Sequence, residues 1–321
     1  MEQDRLDGLD VRIIRELTQA QTLLAGRPGL AGSYREVARK VGLPPSTVRS
    51  RIQRMYRTGV LRGSSHYPNP TLLGLRVGAY TFEVAPTLRK RDVVERLKLL
   101  EGTWFLQNFS SGLVGLVFVY NEDETADRKL ADIDRIAGAI PWRFADLPFP
   151  PSALVLSPTD RALIARLVRG NVATYDGLAR DTGLSVRTIK RKLGRLTREM
   201  ALFSLPTMDY RAVRGAVPAD IVVAYSSPIK RAESEARILR LLREYVVYAG
   251  IWSSYSLYSM ILPRVSMLSE VVEQVGRVSG VESLRSGFVD EHIDQSSIFG
   301  RYLERPAEAA RPGAIETGAV A

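Results

Sequence analysis

The chain has 321 residues and a formal net charge of +10, from 45 Lys and Arg against 35 Asp and Glu. Its content of 45% hydrophobic and 25% charged residues is that of an ordinary folded protein and excludes wholesale disorder. The absence of cysteine excludes disulfides, thiolate metal sites and a cysteine nucleophile, and two histidines are too few for a multi-histidine metal site. No long apolar run is present and the first residues are polar, so neither a membrane span nor a signal peptide is expected.

The first elements along the chain predict a helix-turn-helix. An amphipathic helix is indicated by apolar residues at helical spacing, namely Leu9, Ile13, Ile14 and Leu17. A second short helix is predicted over 34–41. Gly42 suits the left-handed residue that ends a helix, and Pro45 suits the first turn of the next one. A short helix, a Gly-Leu turn and a longer recognition helix have the spacing of this motif.

The third helix has one apolar face and one polar, basic face. Val48, Ile52 and Met55 would pack on the preceding helices. The candidate DNA contacts are on or beside the opposite face: Ser46, Thr47, Arg49, Ser50, Gln53, Arg54 and Arg57. An extended segment over 60–67 is typical of a wing.

The next elements predict a ferredoxin-like domain. Strands are predicted over 77–84, 104–109, 113–120 and 142–147, and helices over 90–100 and 124–137. The order strand, helix, strand, strand, helix, strand is the split βαβ motif. It puts both helices on one face of an antiparallel sheet, so the fold class is α+β.

The second half repeats the first. Residues 174–202 align with 33–61 without gaps at an offset of 141, and 159–167 align with 9–17 at an offset of 150. The second recognition helix begins after Ser185, a good N-cap residue. Its candidate DNA contacts are Arg187, Thr188, Lys190, Arg191, Arg195 and Arg198. The second wing is predicted over 201–207. The second ferredoxin-like domain has predicted strands over 219–225, 246–252, 256–262 and 281–289, and predicted helices over 231–245 and 265–277.

The repeat divides the chain into four domains and a tail. We predict winged helix-turn-helix units over 1–65 and 152–210, ferredoxin-like domains over 66–151 and 211–298, and a disordered tail over 299–321.

Each half resembles a subunit of the Lrp/AsnC (feast/famine) transcription regulators. The first half resembles them through LDGLDVRIIREL, YREVARKVGLPPSTVRSRIQRMYRTGVLRG and NPTLLGL, and the second through LSPTDRALIARL and YDGLARDTGLSVRTIKRKLGRL. The resemblance implies a cytoplasmic, nucleoid-associated prokaryotic regulator that binds double-stranded DNA, without a catalytic site, cofactor or metal. It also implies that the two ferredoxin-like domains pair as a pseudo-dimer, with higher homo-oligomers left open.

The resemblance further implies a small-molecule effector of unknown identity. In the family, the hairpin between the second and third strands of the ferredoxin-like domain carries a Gly followed by an Asp that helps bind an amino acid. Here the hairpins read NFSSGLVGLVF and IWSSYSLYSMI, so neither has the acid, which counts against an amino-acid effector. The candidate effector contacts are Ser110, Ser111, Gly112, Ser253 and Ser254.

The positive charge is concentrated in the helix-turn-helix units. Residues 1–65 hold 12 Lys and Arg against 6 Asp and Glu, and residues 152–215 hold 12 against 5, which is +13 together and leaves −3 elsewhere. Basic faces on this motif predict phosphate contacts and salt-dependent binding of duplex DNA. Because the two recognition faces differ, we expect two non-identical half-sites.

Three alternatives stay open. Siroheme decarboxylases resemble the same architecture, although their chemistry relies on His and Arg near a hairpin that has no His here. An RNA-binding or protein-interaction module is a further alternative.

An aromatic group near the second hairpin, consisting of Tyr245, Tyr248, Trp252, Tyr255 and Tyr258, indicates either sheet packing or a ligand pocket. His66 is read as a phosphate contact or a neutral surface residue, and His292 as an ordinary residue near the end of the fold.

Overall fold

The structure is a computed structural model, which describes residues 5–19, 34–121, 125–150, 152–170, 174–252 and 255–304. Within these ranges no helix is long and apolar enough to cross a membrane. The change of offset from 150 to 141 places nine extra residues of the first half within 19–32, and of these positions only Gln19 lies among the described residues.

The same order of elements occurs in both halves. The first half contains α1 (Gly8–Gln19), α2 (Tyr34–Val41), α3 (Pro45–Arg57), β1 (Leu61–Pro68), β2 (Leu75–Glu83), α4 (Lys90–Leu99), β3 (Thr103–Phe109), β4 (Leu113–Asn121), α5 (Ala126–Ala137) and β5 (Ile140–Asp146). The second contains α6 (Pro158–Val168), α7 (Tyr175–Thr182), α8 (Val186–Arg198), β6 (Leu202–Met208), β7 (Val217–Tyr225), α9 (Pro228–Leu241), β8 (Val246–Ile251), β9 (Tyr255–Leu262), α10 (Met267–Gly276), β10 (Val281–Asp294) and α11 (Phe299–Glu304).

The two ferredoxin-like domains share one eight-stranded sheet. Its strand order is β5-β2-β4-β3-β10-β7-β9-β8, so each half contributes four neighbouring strands in the ferredoxin-like order. The halves join where β3 and β10 pair antiparallel, with His292 opposite Gln107. β10 is 14 residues long because it pairs first with β7 and then with β3, whereas the sequence predicts its end at residue 289.

The two faces of this sheet pack against different partners. Tyr80 and Phe82 of β2 pack under α4 and α5, whereas Val77 and Ala79 face the other side. The alternation follows from the two-residue period of a strand. We call the side away from the ferredoxin helices the inner face; Val222 of β7 also lies on it.

The predicted wings pair with each other instead of within their own units. β1 and β6 form an antiparallel ribbon in which Ser64 pairs with Pro206 and Ser65 with Leu205. At the repeat offset of 141, the counterpart of residue 64 is residue 205, so the register has an approximate two-fold symmetry. We call this pair the β1–β6 ribbon. It packs on the inner face, where the Tyr67 ring lies 4.8 Å from the Trp104 ring.

Each helix-turn-helix unit packs against the opposite half of the chain. Helix α1 lies along β8, and Thr18 Oγ1 donates a hydrogen bond to the Val247 carbonyl. Helix α6 contacts β1. These contacts tie both units to one shared scaffold.

The prediction of a disordered tail from residue 299 is wrong for its first six residues. Helix α11 packs against α6 and buries Phe299 and Leu303. Arg161 donates hydrogen bonds to the carbonyls of Tyr302 (3.2 Å) and Leu303 (3.1 Å). These carbonyls lie at the end of α11, where no backbone amide of the helix can reach them. The remainder of the predicted tail lies outside the described residues.

Candidate nucleic-acid interface

The first recognition helix, α3, is fixed by its apolar face. Val48, Ile52 and Met55 are buried in a core shared with α1 and α2, as the sequence predicts. The opposite face is open: Ser46, Arg49, Ser50, Gln53 and Arg57 are exposed, and Thr47 is half-buried.

The predicted second recognition helix, α8, also has one buried apolar face, and its exposed face is more basic than that of α3. Its N-cap Ser185 accepts a hydrogen bond from the Thr188 amide at 3.2 Å. Its exposed cations are Arg187, Lys190, Arg191 and Arg198, and Thr188 is half-buried. Lys190 Nζ also lies 5.0 Å from the centre of the Tyr175 ring, a cation–π distance.

The two faces carry different chemistry at aligned positions. The pairs that differ at the repeat offset of 141 are Ser46 and Arg187, Ser50 and Arg191, and Gln53 and Gly194. The outer cations are kept, since Arg49 aligns with Lys190 and Arg57 with Arg198. In DNA-binding proteins a cation can bind phosphate anywhere along the duplex, whereas hydroxyl, amide and guanidinium groups can also contact base edges.

A buried carboxylate holds α8 onto the first helix of its unit. The Asp160 side chain is fully buried; its Oδ1 lies 3.0 Å from Lys192 Nζ, and Arg195 binds Oδ2. The same carboxylate accepts hydrogen bonds from the Ser157 amide (3.1 Å) and hydroxyl (2.6 Å). The Asp160 amide in turn donates to Ser157 Oγ at 3.2 Å, which completes a capping box. We call these four residues the second ion-pair cluster.

The first half builds the same arrangement. Asp10 is fully buried, Arg51 lies 3.0 Å from its Oδ1, and Arg54 binds Oδ2. The Asp7 amide donates to Asp10 Oδ2 at 3.0 Å, as Ser157 does in the second half. Asp7, Asp10, Arg51 and Arg54 are the first ion-pair cluster.

Two of the predicted DNA contacts take part in these clusters. Arg54 and Arg195 bind buried carboxylates within their own units, because a buried charge needs an opposite charge and hydrogen bonds. Their position therefore points to fixing the angle of the recognition helix. The sequence carried a signal for this, since Asp10 falls on the apolar stripe of α1 and so had to be buried.

The second ion-pair cluster predicts a pH dependence of stability. Burial raises the pKa of Asp160, but hydrogen bonds from Ser157, Lys192 and Arg195 outweigh it and lower the pKa from 3.8 to about 2. A lowered carboxyl pKa contributes stability above the unfolded value and loses it as pH falls toward the folded value. We expect this unit to lose stability between pH 4 and pH 2, as measured by urea denaturation across that range. In the Asp160→Asn variant the free energy of unfolding should fall less between pH 4 and pH 2. An equal fall in the variant and the parent chain would show that Asp160 does not cause the pH dependence.

The hairpin residues predicted to contact an effector are not gathered into a site. Ser110, Ser111 and Gly112 are exposed, and Lys90 donates hydrogen bonds to backbone carbonyls there, including that of Ser111. Ser253 and Ser254 lie outside the described residues.

Both histidines are half-buried. His66 Nδ1 is 2.6 Å from Ser204 Oγ within the β1–β6 ribbon, and burial lowers the pKa of His66, which favours the neutral ring. His292 lies in the interior beside Asp220 and Gln107, a polar group for which no sequence pattern is diagnostic. The described residues contain no cluster of three metal-ligating side chains.

Comparisons with known proteins match the N-terminal unit to one family. The model for the AsnC-type helix-turn-helix domain matches residues 6–56. An uncharacterized HTH-type transcriptional regulator of Pyrococcus abyssi is 33% identical over 96 residues, 30% of this chain and 55% of that protein. The HTH-type transcriptional regulator Ptr1 of Methanocaldococcus jannaschii is 29% identical over 96 residues, 30% of this chain and 59% of that protein. The chain thus spans a little over half the length of these curated relatives.

One solved structure is similar over nearly the whole chain. The siroheme decarboxylase NirDL has a TM-score of 0.51 and 12% sequence identity, covering 92% of this chain and 97% of that chain. Its complex with an iron-uroporphyrin III analogue has a TM-score of 0.50 and 11% identity, covering 94% and 100%. At this identity the likeness concerns the fold alone. Residues 6–56 match the AsnC-type helix-turn-helix domain, and about 30% of the chain is similar to HTH-type transcriptional regulators.

Proposed function

We propose that this chain is a transcriptional regulator that binds double-stranded DNA through both of its helix-turn-helix units. The observation that carries the proposal is the exposed basic face on each recognition helix, backed by a buried ion-pair cluster that fixes the helix. Six exposed cations belong to these faces: Arg49, Arg57, Arg187, Lys190, Arg191 and Arg198. Such a surface neutralises phosphates and releases counterions, which gives affinity.

We further propose that one chain binds two DNA half-sites, as a homodimer of single-unit regulators would, but with two different recognition helices. The repeated ion-pair clusters and the two-fold register of the β1–β6 ribbon support a pseudo-dimer. A symmetric dimer reads a palindrome, because its two recognition helices are identical. Here α3 offers hydroxyl and amide groups, whereas α8 offers Arg187 and Arg191, whose guanidinium groups suit guanine.

Selection of bound sequences from a random duplex library by the intact chain tests this function. Retention should be strong at low salt and fall steeply as salt rises, because phosphate contacts release counterions. No retained duplex at low salt would rule the proposal out. Structured RNA that competes better than duplex DNA would favour the RNA-binding alternative instead.

The tetrapyrrole alternative finds less support in the interior cavity. A cavity of about 180 Å³ lies between the inner face of the sheet and the β1–β6 ribbon. Uroporphyrin-type tetrapyrroles carry several carboxylates, which call for Arg or Lys partners. Among the described residues that line this cavity none is Arg or Lys, and Asp294 is one of them.

A further inference from the structure

We propose that the cavity between the inner face and the β1–β6 ribbon binds a small aromatic organic cation. This site is separate from the proposed DNA-binding faces, because its walls are aromatic and acidic whereas those faces are basic. Its volume of about 180 Å³ is sufficient for one substituted ring, since a dry cavity of about 150 Å³ in another protein binds benzene.

The walls of the cavity are aromatic. Its lining includes Tyr67, Trp104, Phe149, Tyr248, Trp252 and Tyr255. The rings of Trp252 and Tyr255 have their centres 4.6 Å apart, and those of Tyr67 and Trp104 lie 4.8 Å apart. Walls of this kind bind a cation through the negative faces of the rings, with Trp and Tyr the most effective.

The charge of the walls is negative. Asp294 lines the cavity and is itself exposed, and Asp220 lies fully buried behind the lining residues Gln107 and His292. The cavity thus has one carboxylate in its lining and a second one behind it. Arg231 donates to the Trp252 carbonyl at 2.9 Å but does not line the cavity. An anionic ligand would therefore meet carboxylates without a basic partner in the lining, whereas a cation is complementary to them.

Two buried polar atoms are left without partners in this region. Asp220 Oδ2 accepts hydrogen bonds from Gln107 Nε2 at 2.8 Å and lies 3.2 Å from His292 Nε2, but Oδ1 has no partner among the described residues. The Tyr67 hydroxyl, which lines the cavity, also has none. Buried polar groups are nearly always satisfied, so an unpaired one in a cavity wall points to a ligand or water.

The site also touches the segments that carry the DNA-binding units. Ser65 and Thr207 of the β1–β6 ribbon line the cavity and share a hydrogen bond of 3.1 Å. Thr18, near the end of α1, lines it as well. An occupant would contact both units at once, although its binding does not depend on the proposed DNA function.

The test uses the intact chain, without DNA, and three probes of matched size. Benzyltrimethylammonium is the cation, neopentylbenzene is its uncharged carbon isostere, and phenylmethanesulfonate is the anion. Calorimetry and quenching of tryptophan fluorescence report binding, because two of the three tryptophans line the cavity. We expect one cation per chain, bound at least about tenfold more tightly than either control probe. Equal or tighter binding of a control probe, or no binding of the cation, would overturn the proposal.

Two variants test whether the cation binds in this cavity. Asp294→Asn keeps the oxygen that accepts from the Ser296 amide at 2.8 Å, and should weaken binding about tenfold by removing the charge. Trp252→Leu should also weaken it and reduce the quenching. The control Asp132→Asn removes a carboxylate from an exposed pair with Arg135 on α5 and should leave binding unchanged. A cation that binds Asp294→Asn and Trp252→Leu as well as it binds the parent chain does not occupy this cavity.

Discussion

Removing the exposed cations of α8 is expected to lower the affinity for duplex DNA on the order of 1000-fold near 0.1 M salt. The quadruple variant replaces Arg187, Lys190, Arg191 and Arg198 with glutamine. These side chains are exposed and face away from the core, so the variant should fold normally. The slope of log affinity against log salt should become shallower by about 2, since each phosphate contact contributes about 0.9 and two of the four cations, Lys190 and Arg198, are the proposed phosphate contacts. Fluorescence anisotropy of a labelled duplex across a salt series measures both quantities.

A matched control separates local contacts from net charge. Exposed arginines on or beside the ferredoxin helices α4 and α9 can be replaced in equal number: Arg89, Arg91, Arg237 and Arg240. This control has the same total charge as the α8 variant. It should lose far less affinity, because its charges lie outside the recognition faces. Equal losses in the two variants would show that DNA responds to overall charge and not to the α8 face.

Asp160→Asn is expected to destabilise the second helix-turn-helix unit by about 3 kcal/mol at neutral pH. The change leaves Lys192 and Arg195 without a carboxylate, while the cost is limited because both cations are partly exposed. Asp10→Asn should have an effect of similar size in the first unit, where Arg51 and Arg54 lose the same partner. Urea denaturation, together with hydrogen exchange of the helix amides, measures the loss unit by unit.

An exposed ion pair in the same unit provides the comparison. Arg166 and Asp181 join α6 and α7 at 2.6 Å, but both side chains are more than a third exposed. Asp181→Asn should therefore cost under about 1 kcal/mol. If Asp160→Asn cost no more than Asp181→Asn, the buried clusters would not be what fixes the recognition helices.

Local patterns predicted most of the elements and their order. The recognition helix was placed by Gly42, Pro45 and the spacing of Val48, Ile52 and Met55, and α3 runs over Pro45–Arg57. The four strands and two helices of each ferredoxin-like domain were found near their predicted places, because apolar periodicity reports which face is buried.

The features that sequence could not supply depend on pairing between distant segments. Nothing local in β1 or β6 says that each will pair with the other, or that β10 will extend to reach β3. The interior group formed by Gln107, Asp220 and His292 needs three strands from both halves. The ion pairs of Arg54 and Arg195 could not be predicted either, because a basic helix residue looks the same in sequence whether or not a buried carboxylate lies beside it.

The aromatic residues near the second hairpin lie in two different environments. Tyr258 packs in the core under α9 and α10, where its hydroxyl lies 3.0 Å from that of Tyr225. Tyr248, Trp252 and Tyr255 line the interior cavity instead. Successive residues of a strand point to opposite faces of the sheet. Aromatic residues that are close together in sequence therefore lie on both faces.

The sequences that the intact chain selects from random duplex DNA test the central claim most directly. The claim is that α3 and α8 read unlike half-sites from one polypeptide. We expect an enriched motif with two half-sites of different sequence. When Arg187 and Arg191 are replaced, the preference for guanine should disappear from one half-site and the other should stay as it was. A palindromic motif, or the disappearance of both half-sites together in that variant, would contradict the claim.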